Sequence, residues 1–149
     1  MNRILRPGLV LLSLLCVTAC EQEDAAFALP QERLQPAPGC ELARGCVVHT
    51  DEVRIDVRSG SVPRALQPFV LQLRQSGLKG VDDVTVAFLM RGMDMGESRY
   101  RLLRDGTGQW HADITLPICV SGRSDWVAAF ELVLPDRRLQ FDVPFVLIK

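Results

Sequence analysis

Trp110-His111-Ala112-Asp113-Ile114-Thr115-Leu116 decides the fold class. Apolar and polar residues alternate through the whole run. Successive side chains of an extended chain point to opposite sides, so this stretch offers one face to a core and one to water. Six further runs repeat the pattern. Val53, Ile55 and Val57 alternate with Arg54, Asp56 and Arg58; Phe69, Leu71 and Leu73 with Gln72 and Arg74. Val84, Val86, Phe88 and Met90 form a third apolar face, Tyr100 and Leu102 a fourth, and Trp126, Ala128, Phe130 and Leu132 a fifth. Phe141, Val143, Phe145 and Leu147 close the chain.

Turn chemistry separates the runs: Ser59-Gly60-Ser61-Val62-Pro63, Gly77-Leu78-Lys79-Gly80, Asp105-Gly106-Thr107-Gly108, Ser121-Gly122 and Pro135-Asp136. About seven short strands so punctuated predict an all-β, immunoglobulin-like β-sandwich over residues 46–149. Ser61 to Leu71 has room for one helical turn; no long amphipathic helix is evident. If consecutive strands alternate in direction, the loops Ser59–Leu66, Arg91–Glu97 and Pro117–Arg123 share an upper end. Ser76–Val81, Asp105–Gln109 and Pro135–Arg138 then share the lower end, about 26 Å away for an eight-residue strand. Reading Val48 to Arg58 as one strand puts Cys40, Cys46, His49 and His111 low, and the methionine loop with Cys119 high.

The N-terminus reads as an export signal. Arg3 and Arg6 precede the apolar run Leu9–Val17, which is too short to span a bilayer. Val17-Thr18-Ala19-Cys20 matches a bacterial lipobox. Residues 1–19 are therefore expected to be removed and Cys20 acylated; three acyl chains anchor stably at about 0.8 kcal/mol per buried CH2. Glu21, rather than Asp, after the cysteine points to the periplasmic face of the outer membrane. Residues 20–45, polar and carrying Pro30, Pro36 and Pro38, are expected to form a flexible tether, with Phe27 and Leu29 scattered in it. About 130 residues remain after cleavage, enough for one domain. The 17 basic and 18 acidic residues give a net charge of −1, and the signal carries off Arg3 and Arg6. The mildly acidic product speaks against a nucleic-acid partner.

Cys16 leaves with the signal and Cys20 takes lipid, so Cys40, Cys46 and Cys119 remain. In an oxidising compartment Cys40–Cys46 is the simplest disulfide. Cys119 is then a thiol outside the pair. It lies on Leu116-Pro117-Ile118-Cys119-Val120-Ser121-Gly122-Arg123 and is either a core residue or a ligand.

Met90-Arg91-Gly92-Met93-Asp94-Met95-Gly96 holds three of the four methionines. Met90 continues a core face, whereas Met93 and Met95 fall where turn residues are expected. Thioether and thiolate donors select Cu(I). Met93, Met95 and Cys119, with Met90 as a fourth, are the candidate ligands. Asp94 reads as a turn residue, His49 and His111 as exposed strand residues, and Arg123 with Asp125 as an ion pair supporting the Cys119 loop. A catalytic triad, a phosphate loop and a His-x-x-x-His pair are all missing, so the chain is not expected to be an enzyme.

Phe88-Leu89-Met90-Arg91-Gly92-Met93-Asp94-Met95-Gly96, then Tyr100, Gly108-Gln109-Trp110 and Trp126, resembles the YtkA-like/FixH-like group over roughly Val84 to Leu134. That resemblance implies a small periplasm-facing sandwich concerned with copper handling or cytochrome oxidase assembly, with Met93 and Met95 as the carried-over ligands. Two features depart from the group. No histidine accompanies the methionines, and Leu116-Pro117-Ile118-Cys119 stands where a Met-Gly type of sequence is expected. The expectation is a lipid-anchored copper chaperone or oxidase-assembly accessory, partnered by a copper-transfer or assembly protein. The competing reading is a metal-free envelope interaction module that docks through its methionine loop.

Overall fold

The computed structural model describes residues 28–149, with the backbone alone for Asp94, Met95 and Glu97. The signal segment 1–19, the acylation site Cys20, Glu21 and Phe27 lie outside the described residues. Ten strands run in chain order: β1 (Gln31–Arg33), β2 (Cys46–His49), β3 (Arg54–Ser59), β4 (Phe69–Ser76), β5 (Asp83–Met90), β6 (Met93–Arg101), β7 (Leu103–Arg104), β8 (Trp110–Ile114), β9 (Asp125–Val133) and β10 (Arg138–Val146). They form two five-stranded sheets, β1-β10-β9-β5-β6 and β2-β3-β4-β8-β7. The chain changes layer after β1, β4, β6 and β8, the Greek-key wiring of an immunoglobulin-like sandwich. No helix is present among the described residues, so Ser61–Leu71 contains no helical turn.

The alternating pattern is obeyed. Val84, Val86, Phe88 and Met90 of β5 are buried, as are Trp126, Ala128, Phe130 and Leu132 of β9 and Phe141, Val143 and Phe145 of β10. The Phe88 ring sits at the centre, edge-on to Phe69, Tyr100 and Phe145. Each such side chain contributes about 1.5–3 kcal/mol by leaving water.

The structure has ten strands where about seven were expected, and the additional ones are the short β1, β2 and β7. All three are edge strands. A two- to four-residue run is too short to show a period, and a short edge discourages pairing with another chain. The described part of the expected tether is built into the sandwich from Gln31 onward. β1 pairs in parallel with β10, Pro36 bridges to Val48 of the other sheet, and Leu34 and Leu42 are buried. Leu42 closes the open side: its N–H donates to Pro144 O of one sheet and its carbonyl accepts from Ser59 N of the other.

A second correction concerns the two ends. Val48 to Arg58 is not one strand. The chain reverses at Thr50–Val53, pairing Cys46 with Val57 and His49 with Arg54. The Thr50 hydroxyl accepts the Val53 amide at 3.2 Å, a side-chain-capped turn with no glycine or proline to announce it. His49 stays at the lower end, but Cys46 is carried up. His111 lies opposite Gln72, in mid-sheet.

Candidate functional site

The β5–β6 hairpin is tighter than the expected loop over Arg91–Glu97. Met90 pairs directly with Met93, leaving Arg91-Gly92 as the turn, with Gly92 at φ 73°. The next partners are Phe88 and Ser98. β6 therefore bulges over 94–97, with Gly96 at φ 74° supplying the left-handed step. Met93 is consequently not an exposed tip residue. It is half-buried and packs against the core. Met90 is buried inside the sandwich. Met95 lies in the bulged stretch.

The β8–β9 connection brings Cys119 to the same end. Gly122 N donates to Cys119 O at 3.1 Å, closing a turn with Gly122 at φ 80°. Cys119 Sγ lies 3.0 Å from Ser121 Oγ, and the Ser121 hydroxyl donates to Met93 Sδ at 3.6 Å. One exposed hydroxyl thus joins a buried thiol to a half-buried thioether. Arg123 locks the two loops together. Its guanidinium donates to Arg91 O at 3.2 Å and forks onto both oxygens of Asp125. The expected Arg123–Asp125 pair is present, and the structure adds its grip on the hairpin turn.

Hydrogen bonding at Cys119 shifts it toward the thiolate relative to an ordinary thiol. The Ser121 hydroxyl holds the Cys119 thiol below its ordinary value; burial opposes this, while the Ser121 and Arg123 amides and the Arg123 charge add to it. A hydroxyl has one proton to give. With the thiol protonated, Cys119 S–H can donate to Ser121, which donates onward to Met93. With the thiolate formed, the Ser121 proton turns to Cys119 and the Met93 sulfur is released. The loss of one proton therefore converts a closed relay into two soft donors of different type.

The donor chemistry fits a thiophilic cation in part. Met93 and Cys119 converge on one hydroxyl, but Cys119 is only 4% exposed, and Met90 points its side chain into the core. Among the described residues no three His, Cys, Asp or Glu side chains gather as a metal site, so a ligand set here rests on sulfur. Cys40 and Cys46 form the expected disulfide, with Cα atoms 4.7 Å apart. Contrary to the expected topology, it belongs to the upper half. Cys40 and Arg91 line one cleft of about 590 Å³, floored by Val127, Pro144 and Val146. His49 and His111 take no part in the site.

Sequence reasoning missed Ser121, which reads as nothing more than a turn residue in Val120-Ser121-Gly122. Its role depends on a contact 28 residues away, which no local pattern announces. The chain matches no protein-family model and no curated protein. The resemblance to the YtkA-like/FixH-like group accordingly rests on the motif residues alone.

Proposed function

We propose that this chain is a lipid-anchored protein of the periplasmic side of a bacterial membrane that takes up Cu(I) at the Met93–Cys119 end of its sandwich and hands it to a partner. The observation that supports this reading is the Ser121 hydroxyl set between the Cys119 and Met93 sulfurs. A thiolate and a thioether on two loops tied by Arg123 form a soft donor pair, and soft donors select Cu(I) over harder ions. Met95, on the adjacent bulge, and Met90 are the further candidate ligands. Opening the Ser121 bridge frees both sulfurs from the same hydroxyl, which suits uptake and release of a cargo ion. In this reading the protein does no catalysis, and its partner is a copper-transfer or oxidase-assembly protein.

One observation favours the alternative of a metal-free docking module: Cys119 is buried and belongs to the core cluster. The two readings separate on a titration of residues 21–149 with Cu(I) against a chromophoric chelator under reducing conditions. One-to-one binding that weakens at least about tenfold, or about 1.4 kcal/mol, in both Met93→Leu and Cys119→Ser supports the copper reading. Binding that neither substitution changes contradicts it and leaves the docking module.

A further inference from the structure

The upper end carries a second feature, partly on the same loop as Cys119. Val62, Leu66, Ile118, Val120 and Ile148 are all exposed there, Leu66 at 63% and Val120 completely. Three chain segments that backbone hydrogen bonds fasten together hold them. Ala65 N donates to Ile148 O at 2.7 Å, Leu66 N to Leu116 O at 2.9 Å and Ile148 N to Pro63 O at 3.0 Å. Leu66 has φ 59°, and it is the only non-glycine residue in the left-handed region among the described residues. That conformation is strained for a leucine, and here it holds a large apolar side chain out in water. Two cations stand among these side chains. Arg64 sits on the Ile148 bridge, and Lys149 Nζ lies 3.4 Å from where a side chain on Gly122 would begin. Neither makes an ion pair among the described residues. Of the acids near this end, Asp125 is paired with Arg123, while Asp113 is exposed beside Gly60 and Ser61.

Apolar loop tips with unpaired cations beside them match the two layers of an anionic bilayer surface: acyl chains for the tips, headgroup phosphates for the collar. We propose that the upper loops dock on anionic phospholipid, with Leu66, Ile118 and Val120 entering the interface and Arg64 and Lys149 meeting the headgroups. Chain length is compatible with this. Pro30 is fixed at the lower end, where its carbonyl accepts Arg138 N. Nine residues lie between it and Cys20, ten steps with a contour of up to about 33 Å, against about 30 Å for a nine-residue strand. In the lipoprotein reading, an acylated Cys20 and the upper loops therefore reach the same leaflet. The docking surface itself requires neither acylation nor copper.

The test uses residues 21–149, which contain the whole described body, secreted behind a non-lipoprotein signal so that no acyl chain contributes. Sedimentation is compared with vesicles of equal parts phosphatidylglycerol and phosphatidylcholine and with phosphatidylcholine alone. The expected result is binding to the anionic vesicles that falls with salt and drops about tenfold in Leu66→Ser/Val120→Ser. Leu103→Ser, which removes an equally exposed leucine from β7, should leave it unchanged, with circular dichroism confirming the fold of each variant. No binding, equal binding to both vesicles, or equal loss in the β7 variant overturns the proposal. So does a chain that ignores vesicles but is captured by an envelope protein through Val120.

Discussion

The two ends of the sandwich are built on different principles. At the lower end three turns are closed by their own neighbours. Thr50 caps its turn, Gln75 accepts the Leu78 amide at 3.3 Å, and Asp105 Oδ1 takes the Thr107 and Gln109 amides at 2.8 and 3.0 Å. At the upper end the loops are satisfied by one another, through Arg123 to Arg91, Ser121 to Met93 and Leu66 to Leu116. Locally closed turns insulate the core from their sequence details. Loops laced across the chain transmit a change in one to the next, so a proton lost at Cys119 is felt at the hairpin. The difference makes the upper end the place where loops distant in the chain depend on one another.

The largest break in this contrast is at Gly77. A Cβ there would lie 1.9 Å from Glu52 O, at φ 87°. Gly77→Ala should cost roughly 3 kcal/mol by urea denaturation. Gly92→Ala, with nothing within 4 Å at φ 73°, should cost about 1 kcal/mol. Next, removing the disulfide with Cys40→Ser/Cys46→Ser should lower stability by about 2–3 kcal/mol while leaving the Cys119 titration unchanged.

Ser121→Ala sharpens the comparison at the upper end. It removes the largest cause of the lowered Cys119 value, so the thiolate ultraviolet absorbance should appear at higher pH than in the wild type. The sign for stability follows. A thiol whose value is lower in the folded than in the unfolded state adds stability that is fully present above the unfolded value of about 8.5. That stability is lost as pH falls through the folded value. The advantage of the wild type over Ser121→Ala should therefore grow on the alkaline side, and parallel melts at neutral and alkaline pH measure it. The smallest effect belongs to the lower end. The Thr107 hydroxyl is the first cause holding the Asp105 carboxyl below its usual range. Its contribution is complete at neutral pH and fades as pH falls through the folded value, so Asp105→Ala should differ from the wild type at pH 6 and converge with it in strong acid.

The sheets were legible in the sequence because one-sided burial writes itself as alternation, as in Trp110–Leu116. What escaped was set by few residues or by distant ones. β7 has two residues and no period to read. The Thr50–Val53 reversal lacks glycine and proline, so β2 and β3 read as one strand and the disulfide was placed at the wrong end. Met93 was legible as unusual, but its place on β6 follows from direct pairing with Met90. Cys119 was legible as a thiol outside the pair. That Ser121 bridges it to Met93 depends on the packing of two loops, which composition does not encode.

The central claim is that Cys119 and Met93 act on one soft ion. X-ray absorption at the copper edge of Cu(I)-loaded residues 21–149 addresses it directly. The account predicts a shell of sulfur scatterers that loses one sulfur in Cys119→Ser and one in Met93→Leu. A shell of nitrogen or oxygen, or one unchanged by both substitutions, would contradict it.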